Sequence, residues 1–163
     1  MKIHIAKIAG QKVYFFVLAV LLMIITASLC VISMPPVLPE CKAVLRSTNE
    51  VAGRKIDRVL LISVMPSGWR EVTFLLNGRI LDGKEKFAVS RAVIMSSEWQ
   101  GKYVHLQVTE NNKAPGDSVK LAELERLLPV LGQNYYVNIE QLDDKSFIFI
   151  DNHAPMFVCT LAH

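Results

Sequence analysis

Residues 13–34, VYFFVLAVLLMIITASLCVISM, make a run of 22 positions without a charge. A helix rises about 1.5 Å per residue, so about 20 apolar residues cross the ~30 Å hydrocarbon core of a bilayer. No face of the run is polar, which argues against a helix packed in a water-soluble domain. Lys2, Lys7 and Lys12 precede it with no acidic residue among them, and the next charge is Glu40. This asymmetry predicts a cytoplasmic basic tail over 1–12, a transmembrane helix over 13–34, and export of the remainder. The expected topology is therefore a single-pass membrane protein with one small outer domain.

Two other readings of this segment compete. A cleaved signal peptide has an apolar core of about 7–15 residues and then small residues at the cut. Here Met34-Pro35-Pro36-Val37-Leu38-Pro39 follows instead. Ala27-Ser28-Leu29 before Cys30 faintly resembles a lipoprotein signal, but Leu29 stands where a small residue belongs.

The chain holds 18 Lys+Arg against 15 Asp+Glu, and the three tail lysines account for the whole excess. The basic balance thus reflects topology and not a nucleic-acid surface; no Arg/Lys cluster with interleaved aromatics follows residue 34. Cys30 lies within the apolar run, where a thiol behaves as a small apolar group. Cys41 and Cys159 bracket the outer domain, and an even pair of exported cysteines predicts a disulfide. Closing so long a loop stabilises a fold by about 4–5 kcal/mol in the chain-entropy model. Two cysteines at this distance, with His105 and His153 isolated, make no metal-ligand pattern.

Pro35, Pro36 and Pro39 predict an extended linker over 35–40. Beyond it the chain reads mainly as strands, in an outer domain over 41–163. Ile56 to Met65 is rich in branched apolar residues, and Pro66-Ser67-Gly68 turns the chain. Arg70 to Leu76 follows, and Asn77-Gly78 carries the two-residue hairpin signal. Phe87, Val89, Arg91, Val93 and Met95 share one face of a weakly alternating segment. Tyr103, His105 and Gln107 alternate with Val104, Leu106 and Val108, as in a half-buried strand. One helix is predicted over Val119 to Leu128, capped by Asp117 or Ser118 and ended by Pro129 and Gly132. Strands over Tyr135–Leu142 and Ser146–Ile150 flank the turn Asp143-Asp144-Lys145, and Met156–Leu161 carries Cys159. The expected fold is α+β: a transmembrane helix, then a small antiparallel sheet with one packed helix.

Signals for chemistry are few. His105 has the chemistry of a base, and Ser63, Ser90, Ser96 and Ser97 have that of nucleophiles. None sits in a G-x-S-x-G elbow or S-x-x-K box. Asp143-Asp144 suits a turn better than a catalytic pair, because Asp side chains cap turns. Gly78 and Gly83 make neither a dinucleotide-binding fingerprint nor a phosphate loop. No catalytic, cofactor or metal site is predicted, and the chain reads as a non-enzyme. Trp69 and Trp99, beside turns, and Leu121, Leu124 and Leu128, on the predicted helix, are the candidate partner contacts. Packing in the core is the competing role for all five.

The layout resembles the FidL-like family of small enterobacterial inner-membrane proteins. The matching features are the short basic tail, the single span, Pro39-Glu40-Cys41-Lys42, and Asn152-His153-Ala154-Pro155-Met156-Phe157-Val158-Cys159 near the C-terminus. The resemblance implies a periplasmic domain and an accessory role, similar to ToxS, beside a membrane-bound ToxR-type transcription regulator. A partner that binds only the folded regulator stabilises it by mass action, and confinement to one membrane raises the effective concentration. The partners so expected are the lipid bilayer and such a regulator. The alternative is a stand-alone ligand-binding or envelope structural module.

Overall fold

The computed structural model describes residues 3–32, 37–51 and 53–161, with side chains over 13–29 in the first stretch. It divides into two compact units, Met1–Pro36 and Val37–His163. The first unit is one helix, α1 (Ile3–Ile32). Its large apolar side chains from Val13 to Ile25 have no core of their own to enter and are exposed.

The second unit is a closed barrel of eight strands. They are β1 (Cys41–Val51), β2 (Arg54–Gly68), β3 (Glu71–Asp82), β4 (Glu85–Gln100), β5 (Tyr103–Lys113), β6 (Asn134–Gln141), β7 (Ser146–Asp151) and β8 (Ala154–Leu161). Each strand pairs antiparallel with the one before it, and β8 returns to β1. Along β2, residues 56, 60, 62 and 64 are buried; β3 buries 72, 74, 76 and 80, and β5 buries 104, 106 and 108. This period of two is what a curved sheet with one dry face requires. The outward face of β1 carries Lys42, Arg46, Thr48 and Glu50, all exposed.

The ladders are unequal. β3 pairs with β2 and with β4 through twelve positions each. β1 and β8 meet at two, Cys41↔Leu161 and Lys42↔Thr160. At that short seam the Cys41–Cys159 disulfide joins the two strands, with Cα atoms 5.5 Å apart. It closes a sequence separation of 118 residues, which corresponds to about 4–5 kcal/mol in the chain-entropy model. The bridge predicted from cysteine count therefore staples the place where hydrogen bonding is thinnest.

β6 begins only at the middle of β5, Asn134 lying opposite Gln107. The wall that β6–β8 leave incomplete is filled by the crossover segment 114–133. Its Val119, Leu124 and Leu128 are buried in the core.

Four expectations are corrected. The fold is mainly β, a closed barrel, and not an α+β sheet with a packed helix. Among the described residues no helix is long and apolar enough to cross a membrane. The expected span over 13–34 falls on α1 but runs past its described side chains, which end at 29; residues 35 and 36 of the expected linker lie outside the described residues.

The helix predicted over Val119–Leu128 shrinks to a single turn, α2 (Ala122–Glu125), whose N-cap is Leu121 with no side-chain cap. The reason is upstream. Ser118 donates its N–H to the Ala88 carbonyl, and its hydroxyl accepts the Ala88 N–H. Asp117 accepts the Ser90 N–H. These bonds lay residues 117–118 flat along β4, so the helix starts late; it ends at Glu125 and gives way to a turn before Pro129. Finally, Asn77-Gly78 is not a hairpin turn but the interior of β3. A Cβ at Gly78 would stand 2.1 Å from the Val59 carbonyl oxygen, so glycine here permits a close backbone approach.

Candidate ligand cavity

Two arginines occupy inward positions of the barrel wall. On β4, Arg91 continues the buried row of Val89, Val93 and Met95. On β2, Arg58 falls between buried Ile56 and buried Leu60. Turning a guanidinium inward is expensive unless its charge is met, because burial disfavours the ionised form. The two sites meet that demand differently.

Arg91 is fully neutralised. Its Nε and Nη2 donate to the two Asp117 oxygens at 2.8 and 3.0 Å, and its Nη1 donates to Glu125 Oε2 at 2.9 Å. The Arg91 and Asp117 side chains have no exposed surface. Lys113 reaches the other oxygen of Glu125. Burial alone would push the Asp117 carboxyl up, yet its pKa lies below the ordinary carboxylate value. The Arg91 hydrogen bonds and the N–H groups of Ser90 and Val119 outweigh the desolvation. Glu125 is depressed by the same balance, with Arg91 and Lys113 as its partners. The cluster is a bolt that fastens the crossover segment to β4.

Arg58 is half-buried and, among the described residues, has no carboxylate partner. Its Nε donates to Ser47 Oγ at 2.9 Å, across the Ser47↔Arg58 pair of the ladder. One Nη donates to the Leu127 carbonyl. Both acceptors are neutral. Burial lowers the Arg58 pKa, with Tyr135 acting the other way. The Tyr135 hydroxyl beside it is pushed up to about 12, by burial first and by Asp151 second, against the pull of Arg58.

Arg58 stands at the mouth of a cavity of about 420 Å³ in the barrel interior. The interior is apolar: Ile62, Phe74, Leu76, Met95, Val137 and Phe149 belong to its lining. At the surface end the lining includes exposed Arg126 and Pro155, so the cavity reaches solvent between the crossover segment and the start of β8. No acidic residue lines it. An eight-stranded barrel has an interior just wide enough to be filled by side chains or to hold one small ligand. The volume falls within the ~300–1,000 Å³ typical of ligand pockets.

The residues singled out from sequence are dispersed. Leu124 and Leu128 are buried, and Leu128 lines the cavity; Leu121 is exposed. Trp69 is 74% exposed at the β2–β3 turn, whereas Trp99 packs against the core. His105 stacks on Tyr136 with ring centroids 4.7 Å apart and hydrogen-bonds Asn134 through Nε2. Of the four serines considered as nucleophiles, Ser97 is buried, and Ser90 donates to Asn77 at 3.1 Å. Asp143 accepts the Lys145 N–H within the β6–β7 turn. Among the described residues no group of His, Cys, Asp or Glu is placed to hold a metal ion.

Arg58 escapes a reading based on hydropathy, and Arg91, though placed on the face of Val89 and Val93, gives no sign of its partners. A cation at an inward position looks like a break in the strand period, and Asp117 looks like a helix cap. The signal available was their spacing: each sits two residues from apolar neighbours on the same face. No family model, curated protein or solved structure matches this chain.

Proposed function

We propose that this chain is a membrane-associated binding protein of the bacterial envelope whose barrel takes up one small, largely apolar molecule. The observation that carries this reading is the cavity itself: apolar walls, a polar mouth, and a route to solvent. The uncharged run over 13–34 and its lysine-only flank support attachment to the inner membrane with the barrel on the periplasmic side. The disulfide agrees with an oxidising compartment. The test is binding of a neutral apolar fluorophore, N-phenyl-1-naphthylamine, to the full chain in lipid nanodiscs, with empty discs subtracted. Saturable binding at one site, lost on Leu76→Trp while the fold is kept, is expected. Binding indifferent to that cavity-filling change overturns the reading.

A second reading, the accessory partner of a ToxR-type membrane regulator, is supported by a separate feature. β1 pairs with β8 only at Cys41 and Lys42, and among the described residues no strand hydrogen-bonds that edge of β1 from 43 to 51. Open edges are where a partner strand adds. A photocrosslinker at Thr48 or Glu50, exposed on this strand, is expected to capture such a regulator in membranes. Capture equal to that from Lys86, on the exposed face of β4, counts against it.

A further inference from the structure

The chemistry of the mouth points to the class of molecule the cavity holds. The charged side chains of the lining are two arginines, Arg58 and Arg126. Arg126 is exposed, so water satisfies it. Arg58 is half-buried, and its two hydrogen bonds go to the uncharged Ser47 hydroxyl and Leu127 carbonyl. Among the described residues its second Nη makes no hydrogen bond and is not sealed from solvent, so it is open to an arriving ligand. The same fold shows at Arg91 what a guanidinium facing inward gathers when it is complete: two carboxylates and bonds from all three nitrogens. Arg58 has the desolvation without the anion.

A guanidinium offers a planar fork of donors suited to carboxylate, sulfate or phosphate oxygens. Tyr135, whose hydroxyl stays protonated through neutral pH, lines the same cavity and offers a further donor. Apart from Ser47 and Gln133, the rest of the lining is apolar, with Phe74, Leu76 and Phe149 among it. A neutral hydrocarbon would fill the interior and leave Arg58 with water and neutral acceptors alone. A cation would be repelled. At about 420 Å³ the space admits one small molecule and not the two tails of a diacyl lipid.

We propose that the bound molecule is a single-chain amphipathic acid, its anionic headgroup paired with Arg58 at the mouth and its hydrocarbon buried among the inward residues of the barrel. This rests on the cavity reading given above. Headgroup pairing explains an arginine in the inward row of β2, where apolar side chains flank it on both sides. It also connects ligand to the crossover segment, because Arg58 holds the Leu127 carbonyl and an arriving anion competes for the same guanidinium.

The test is displacement of N-phenyl-1-naphthylamine from the full chain in zwitterionic nanodiscs by dodecanoate, dodecanol and dodecylamine at pH 7.5. Dodecanoate is expected to displace the probe at about a tenfold lower concentration than dodecanol, the factor a charge-assisted hydrogen bond supplies, with dodecylamine weakest. In Arg58→Met the acid and the alcohol should come within about twofold of each other while the alcohol stays unchanged. Equal displacement by acid and alcohol in the unaltered chain overturns the headgroup assignment and leaves the cavity reading standing. That arm needs no variant, so a misfolded Arg58→Met does not blunt it. Loss of the probe signal in discs carrying an anionic diacyl lipid, with dodecanoate ineffective, overturns the single-chain assignment. Absence of saturable probe binding overturns both readings together.

Discussion

Arg91 and Arg58 hold like positions on neighbouring parts of one barrel wall, and the molecule treats them in opposite ways. Around Arg91 the crossover segment supplies Asp117 and Glu125, Lys113 joins from β5, and no space is left. Around Arg58 the protein supplies a hydroxyl, a carbonyl and a cavity. The first arrangement is closed chemistry whose work is to hold a segment in place. The second is open, and an open charge at the mouth of an apolar space is how a binding site differs from a structural ion pair. The ladders repeat the contrast: β3 and β4 pair through twelve positions, whereas the β1–β8 seam has two and a disulfide.

The strongest way to break this comparison is to remove one partner from the closed site. Asp117→Ala leaves Arg91 buried beside a single remaining carboxylate, and breaking a buried pair in this way costs about 3–5 kcal/mol. Urea denaturation of the full chain should show a loss of that size. Replacing Arg91, Asp117 and Glu125 together by Met, Leu and Gln should recover most of it. A loss below about 1 kcal/mol for Asp117→Ala would mean that the cluster contributes no more than an exposed ion pair.

The seam comes next. Cys41→Ser with Cys159→Ser is expected to lower stability by about 2–5 kcal/mol. Amide exchange should accelerate along β1 and β8 while Ala88 and Ser90 on β4 stay protected. Uniform acceleration around the barrel would contradict the view that this side is held by the bridge.

Acid separates the sites by a smaller margin. The carboxyls of Asp117 and Glu125 titrate below their ordinary values of 3.8 and 4.5. A depressed folded-state pKa gives stability that is fully present above the ordinary value and lost as pH falls through the folded one. Melting temperature should therefore be flat above about pH 5 with respect to this cluster and fall below pH 4. Asp117→Asn should flatten the fall. The smallest change is expected at the open site: Arg58→Met gives up two hydrogen bonds and relieves a desolvated charge, so stability should stay within about 1 kcal/mol of the parent.

Several of these features are readable from the chain alone, and the reasons are local. Tyr103 to Val108 alternates cleanly because every inward residue there is apolar, and Val104, Leu106 and Val108 are buried as expected. The turn at Asp143-Asp144-Lys145 follows from side-chain chemistry within three residues. The pairing of Cys41 with Cys159 follows from counting, though not its place on the seam. What escapes depends on distant partners. Val119–Leu128 has helical spacing, but β4 holds its leading residues extended, so only Ala122–Glu125 turns. Gly78 signals a turn by type, while its role is set by Val59 on the neighbouring strand. β1 goes unnoticed because Leu45, Ser47 and Asn49 on its inward face lose apolar character toward the mouth. Closure into a barrel is a property of all eight registers together, which no single segment announces.

The most direct test of the account is photolabelling of the full chain in nanodiscs with a dodecanoate analogue carrying a terminal diazirine, read by peptide mass spectrometry. Adducts on the inward residues Leu76, Met95 and Phe149, competed by unlabelled dodecanoate and reduced in Arg58→Met, are the predicted result. Adducts confined to the outward barrel face or to α1, unmoved by competitor, would contradict it.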